Sequence, residues 1–327
     1  MLGLAACGPL GGVDDGGLGA GGQAGVAGGT SAGAGAPALP PEPAFKLVGY
    51  QPSWSGNAAN LQFNKLNYVN FAFATELADG SVTLPQPTQQ LLALSSLAHK
   101  SGVRVLLSVG GWNNGDASAF STLSASATAR AKFAATVDSY VDQFALDGID
   151  IDWEYPRADA AASFTALMQE ISARLRPKGK LLTIAAAPAT YGSEGVTADA
   201  LPYLDFVNIM AYDGGQGSGH SPYTLAQSAL QTWASKGLPA SKAILGVPFY
   251  SRPGNTAYAK LVTQDPNAAN VDQLNDQYYN GIPTVQAKTA LAMSTGGGIM
   301  AWDLSQDVST PGLSLVSAIF ATAHPSP

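Results

Sequence analysis

The sequence predicts one α/β domain, a (β/α)8 barrel, preceded by a flexible tether. Three observations carry this. Eight short apolar runs alternate with amphipathic segments over about 280 residues, and such a barrel typically takes ~250. Each run is nearly continuous in apolar residues and bounded by Gly, Pro, Asn or Asp, as strands buried on both faces are. No glycine-rich phosphate loop follows the first run, which disfavours a doubly wound open sheet.

The elements follow in chain order. Residues 1–36 hold 14 Gly and no Lys, Arg or aromatic residue. They bury too little apolar area to offset their ordering entropy and form the tether. Within it Leu4-Ala5-Ala6-Cys7 is similar to a bacterial lipobox, in which the cysteine takes a lipid. Only six residues and no basic segment precede Cys7, whereas an export signal needs ~15–30; a start further upstream or a trimmed sequence would explain the difference. Export is expected, either as a secreted protein or as one anchored at the cell surface through Cys7. Pro37, Pro40, Pro41 and Pro43 stiffen a linker over 37–45, and the barrel takes 46–327.

The predicted strands are Lys46–Tyr50, Asn67–Ala74, Arg104–Val109, Gly148–Trp153, Leu181–Ala187, Phe206–Ala211, Ala243–Val247 and Gly298–Trp302. Helices are predicted over Thr88–Lys100, Ala125–Phe144, Ala161–Leu175, Pro222–Ser235 and Thr284–Met293. Pro87-Thr88 and Ser221-Pro222 are starts, and Gly102 and Gly237 are stops.

Composition removes whole classes of function. The net charge is -7 with charged residues at 12%, so a nucleic-acid backbone finds no basic stripe. No run of 18 apolar residues marks a membrane-spanning helix. One cysteine and three scattered histidines, His99, His220 and His324, give no internal disulfide and no metal-ligand spacing. No metal or cofactor is expected. His99 is expected on a helix surface, and His220 falls in the strand-six loop, within reach of a substrate.

In a barrel, chemistry sits where strands give way to the following loops. Those positions hold Tyr50, Phe73, Ser108 with Trp112, Asp150/Asp152/Glu154, Pro188, Met210/Tyr212/Asp213, Tyr250/Arg252 and Trp302/Asp303. Aromatics with a carboxylate pair suit a sugar, whose C–H faces are apolar and whose edges are hydroxyls. The fourth strand reads Asp147-Gly148-Ile149-Asp150-Ile151-Asp152-Trp153-Glu154. Alternation puts Asp150, Asp152 and Glu154 on one face, ~3.3 Å per residue apart. Crowding and desolvation then raise at least one carboxyl pKa, which keeps an acid protonated near neutrality. Asp147 stands at the strand's entry, off that face, and reads as structural.

DGIDIDWE resembles the DxxDxDxE signature of glycoside hydrolase family 18, the chitinases and their relatives. Ser108-Val109-Gly110-Gly111-Trp112 is similar to that family's SxGG motif, and Met210-Ala211-Tyr212-Asp213 to its MxYD motif. Gly246–Tyr250 and Met300–Trp302 match its last two strand ends, so the likeness covers roughly 46–305. The resemblance implies that Glu154 protonates the leaving oxygen and that the sugar's own acetamide attacks C1. Asp152 would orient that acetamide and share a proton with Asp150, which Ser108 helps to hold. Tyr212 would bond the acetamide carbonyl, and Asp213 would support the sugar. Trp302 would floor the reacting ring, with Tyr50, Phe73 and Met210 about it, Trp112 on the leaving-group side, and Tyr250 and Arg252 lining the cleft.

The implied activity is a chitinase acting on chitin or N-acetylglucosamine oligosaccharides as a monomer. An endo-β-N-acetylglucosaminidase on N-glycans and a non-catalytic chitin-binding relative are the alternatives. Only 46 residues, 251–296, separate the last two strands, too few for the α+β subdomain of deep-groove members. An open cleft entered along its length is therefore expected, rather than one fed only from a chain end.

Overall fold

The computed structural model describes residues 40–325; the tether and Cys7 lie outside them. Eight parallel strands form the barrel: β1 Lys46–Pro52, β2 Tyr68–Glu76, β3 Arg104–Gly110, β4 Gly148–Asp152, β5 Leu181–Ala186, β6 Phe206–Ile209, β7 Ala243–Pro248 and β8 Gly298–Trp302. Each pairs with its sequence neighbour, and β8 pairs with β1 through Lys46↔Gly298 to Gly49↔Ala301, which closes the ring. Closure leaves no exposed strand edge in the ring.

The continuous apolar runs are explained by two cores, one on each face of the barrel wall. Val48, Tyr68, Leu106, Phe206, Ile244 and Met300 fill the interior. Val105, Leu107, Ile149, Ile151, Leu245 and Ile299 face outward against the helices. Helices α1 Gln89–Lys100, α2 Ser118–Ala125, α3 Ala127–Gln143, α4 Ala161–Leu175, α5 Tyr223–Ser235, α6 Tyr258–Gln264, α7 Ile282–Thr295 and α8 Leu315–Ala323 complete the fold.

Differences from the sequence reading are local. The predicted helix over Ala125–Phe144 is two helices: α2 ends before Ser126, whose hydroxyl then caps α3 by accepting from the Ala129 N–H. Between β7 and β8 lie α6 and a two-residue-per-strand hairpin, Gln273–Leu274 with Gln277–Tyr278. That is far short of a subdomain, and Tyr278 ties back to Arg252 by backbone hydrogen bonds. His99 is not a free surface residue: its Nε2 lies 2.7 Å from Asp147 Oδ2. Asp147 also accepts the Val105 N–H at 2.8 Å, so it stitches α1 to β3 and β4 at the closed end of the barrel, away from the strand ends where a site forms.

Candidate active site

The alternation of β4 builds the site. Ile149, Ile151 and Trp153 turn outward into the core, where Trp153 stacks on Phe120 at 5.2 Å. Asp150 and Asp152 thereby turn inward, fully buried. Glu154 stands just beyond the strand in a cleft of about 1460 Å³ that opens over the strand ends.

Asp150 lies under the cleft and accepts four hydrogen bonds. Tyr50 Oη (2.7 Å) and Ser108 Oγ (2.8 Å) donate to Oδ2, and Thr183 Oγ1 (2.5 Å) and Asn208 Nδ2 (3.3 Å) donate to Oδ1. Burial raises its pKa, while the four donors work against that rise. Four neutral donors converging on one carboxyl favour the ionised form. Asp152 is the opposite case. Its Oδ1 is buried without a partner, and burial, then Glu154, Asp150 and Glu76, push its pKa well up. Of the two, Asp150 is the better solvated for a charge, and Asp152 is the one that burial drives toward the protonated form. Glu154 is pushed up to about 7 by burial, with Tyr155 opposing the rise and the charge of Asp213 adding to it.

Glycines shape this wall. Gly110 and Gly111 both have positive φ. A Cβ on Gly110 would strike the Asp152 carbonyl, and one on Gly111 would sit 2.7 Å from the Phe73 ring. Only glycine brings β3 this close to both.

The aromatic floor is continuous. Phe73 stacks on Trp302 at 5.5 Å, and Tyr50 meets Trp302 edge-on at 5.4 Å. Trp112, 57% exposed, faces Tyr155 across 6.4 Å. Opposite them Tyr212 lies edge-to-face with Tyr250 at 6.3 Å. Asp213 takes a bidentate clamp from Arg252 (2.7 and 2.6 Å) and a hydrogen bond from the Tyr250 hydroxyl at 2.7 Å. Burial alone would raise Asp213, but these partners, with His220 beside it, hold it well below the usual carboxylate range. His220 is buried, its Nδ1 2.9 Å from Asp213. It lies behind Asp213 and does not reach the cleft surface.

Twelve of the thirteen barrel residues singled out from sequence line the cleft or its floor, or feed Asp150 from beneath; Asp150 itself is the thirteenth. The hydroxyls of Tyr50 and Ser108 are both spent on Asp150, which puts them below the cleft surface. Sequence reasoning missed Thr183 and Asn208, lone polar residues inside apolar runs. Register exposes the first: Ser108, Asp150 and Thr183 are direct cross-strand neighbours. It also missed the cleft residues Glu76, Trp54, Tyr155 and Tyr191.

The model of Glycosyl hydrolases family 18 matches residues 46–307. The chain belongs to that family. Among curated family 18 relatives, mouse (Mus musculus) Chitotriosidase-1 is 32% identical over 251 residues, covering 64% of this chain and 54% of that protein. Chitinase A1 of Niallia circulans is 27% identical over 299 residues, covering 64% and 42%. This chain thus spans about half the length of these relatives. Among solved family 18 structures, a chitinase from the chitin utilization locus of Flavobacterium johnsoniae superposes with TM-score 0.74 at 27% identity, covering 85% of this chain and 93% of that one. The matched span includes β4 and its exit, which carry Asp150, Asp152 and Glu154.

Proposed function

We propose that this protein is a chitinase that hydrolyses β-1,4 bonds between N-acetylglucosamine units with retention. The observation that carries the reading is geometric: Glu154 stands in the cleft beside a buried Asp152 whose Oδ1 has no partner, and burial pushes both carboxyls toward the protonated form. A retaining glycosidase ordinarily needs an ionised second carboxylate as nucleophile. A protonated, buried Asp152 is a poor one. The nucleophile is then supplied by the substrate: its 2-acetamido oxygen attacks C1 while Glu154 protonates the departing glycosidic oxygen. The bond from C1 to the leaving oxygen breaks, and a cyclic oxazolinium ion forms on the sugar.

In this scheme Asp152 turns its unpartnered oxygen to the acetamide N–H and passes its proton to Asp150, so that Asp152 takes up the negative charge beside the developing cation. Tyr212 donates to the acetamide carbonyl. Trp302 and Phe73 seat the ring's apolar face. Glu154, now ionised, takes a proton from the water that opens the oxazolinium ion, which restores the acid and returns the anomeric configuration. The alternatives of N-glycan cleavage and of binding without cleavage share the cleft. Glu154, the group that a binding-only protein does not need, argues against the second. We also propose that the protein is exported and acts as a monomer, held by a lipid on Cys7 or released; the Leu4-Ala5-Ala6-Cys7 pattern supports the export and the anchor.

The test is chromatography of products from N-acetylglucosamine tetramer and hexamer with wild type and Glu154→Gln. Cleavage by wild type alone, at internal bonds of the hexamer, is expected. Cleavage by neither protein, or a strictly terminal product ladder, would overturn the chitinase assignment or the open-cleft reading respectively.

A further inference from the structure

Between β7 and β8 lies the hairpin Gln273–Leu274 with Gln277–Tyr278, which neither the barrel nor the mechanism above uses. Strands this short are marginal in water on their own, so the hairpin is held by what it bonds to. Its base is fixed to the start of α7, where Asp272 accepts from the Gly281 N–H at 2.8 Å and from the Thr284 hydroxyl at 2.6 Å. Its second strand and the residues just after it reach in two directions, toward the two loops that carry Arg252 and Asp213.

On one side Tyr278 exchanges backbone hydrogen bonds with Arg252, 2.8 Å each way, and the Gln277 amide oxygen gathers the loop that follows. That oxygen accepts from Ser251 Oγ (2.7 Å), the Gly254 N–H (3.2 Å) and Thr256 Oγ1 (3.3 Å). Ser251 is buried, and its hydroxyl oxygen also accepts from the Thr256 N–H at 3.2 Å. On the other side the Asn280 amide donates to the Ser221 carbonyl at 3.0 Å, and Ser221 Oγ holds the Ala211 carbonyl at 2.8 Å, just before Tyr212 and Asp213. Beyond Met210 the backbone bonds of that run are local, Ala211 to Ile209 and Tyr212 to Met210, so the sheet no longer fixes it. Neither Gln277 nor Asn280 lines the cleft.

We propose that this hairpin is a brace for the cleft wall, holding the Arg252 loop and the Asp213 loop in the register at which guanidinium and carboxylate meet, and that Gln277 is a positioning residue acting through Arg252. This rests on the chitinase reading. Arg252 has a long side chain with many rotamers, and a fixed backbone reduces what remains to be ordered when its fork closes on Asp213. Tyr212 directly precedes Asp213, and Tyr250 stands close before Arg252, so a slip of either loop carries a cleft tyrosine with it. A working site tolerates about half an ångström of such movement.

The experiment is a double-mutant cycle on N-acetylglucosamine hexamer with the full-length protein: wild type, Gln277→Ala, Arg252→Ala and the two together, each shown to be folded by thermal melting. One neutral hydrogen bond accounts for roughly three- to tenfold, and Gln277 accepts several, so kcat/KM should fall about tenfold in Gln277→Ala. In the Arg252→Ala background the same change should cost less than about twofold, whereas a role in fold stability alone would cost the same in both backgrounds. Gln277→Glu keeps an acceptor oxygen and should stay within about threefold of wild type. Ser251→Ala removes the shortest of the three bonds from its far end. It should match Gln277→Ala, and it covers the case in which that variant fails to fold. An additive cycle, an unchanged kcat/KM in Gln277→Ala and Ser251→Ala, or a Gln277→Glu as slow as Gln277→Ala would overturn the proposal while leaving the chitinase intact. A wild type that leaves the hexamer uncut would remove the chitinase reading and this proposal with it.

Discussion

Replacing Glu154 by glutamine should slow turnover steeply and make the protein more stable, and the second effect is the sharper test. Burial lifts the Glu154 pKa from an ordinary 4.5 to about 7. Each pH unit of that rise corresponds to about 1.4 kcal/mol, so ionising Glu154 in the folded state costs up to roughly 3 kcal/mol. The sign follows from proton linkage: between pH 4.5 and 7 the folded chain binds the proton that the unfolded chain has lost, so wild type loses stability as pH rises through this window. Glutamine has the shape of the protonated acid and no such loss. The two proteins should therefore melt alike near pH 4. The variant should gain progressively above that and level off above pH ~7, at roughly 5 °C for a domain of this size. Thermal unfolding from pH 4 to pH 8, followed by circular dichroism, reads this directly. In parallel, kcat/KM of wild type should fall as pH rises through about 7, because the acid must be protonated to act. The variant should be slower by ~10²–10⁴. A melting difference that stays flat with pH, or near-full turnover by the variant, would refute the reasoning.

Two further perturbations address the support beneath the site. Thr183→Val keeps the shape but removes the shortest donor to Asp150. It should cost ~1–3 kcal/mol by denaturant titration and move the acid side of the pH–rate profile upward, since Asp150 then holds its proton more tightly. Lys288→Met addresses a fully buried lysine on α7. That lysine donates to Ser221 O (2.6 Å), Ser221 Oγ (2.7 Å) and Asn280 Oδ1 (2.7 Å), while Ser221 Oγ in turn holds the Ala211 carbonyl next to Tyr212. Burial pushes Lys288 down to about 7, so above that pH the unfolded chain binds the extra proton and wild type should gain stability up to ~10. The methionine variant should lack that rise in urea melts taken at pH 7 and pH 9.

Much of this was legible in the chain because a barrel strand is a plain signal. A strand buried on both faces must be apolar throughout, so GIDID and its two aspartates stood out against seven runs without acids. The same alternation that exposed Asp150 and Asp152 also explains their opposite environments, which only the three-dimensional arrangement shows. Four strands converge donors on Asp150, and none reaches Asp152. Tyr50 and Ser108 could be assigned to the strand ends but not to Asp150, because the direction of a hydroxyl depends on the level each strand reaches in the interior. Glu76 was silent for another reason. A single glutamate ending NYVNFAFATE looks like a solvated strand end until the chain folds over it. His220 misled in the opposite sense: a histidine in a glycine-rich loop reads as exposed, yet the Gly214–His220 turn folds it behind Asp213.

The salt link between Arg252 and Asp213 has a consequence for what this cleft refuses. It ties up the one cationic side chain among the lining residues, leaving no counter-charge for a guest that brings a negative one. A sugar bearing a carboxylate or sulfate would give up its hydration and find no free cation in return, and a missing counter-charge discriminates between guests as a clash does. Glycans ending in sialic acid, and wall polymers whose alternate sugars carry a lactyl carboxylate, would be disfavoured for want of that cation, with no contact dedicated to excluding them.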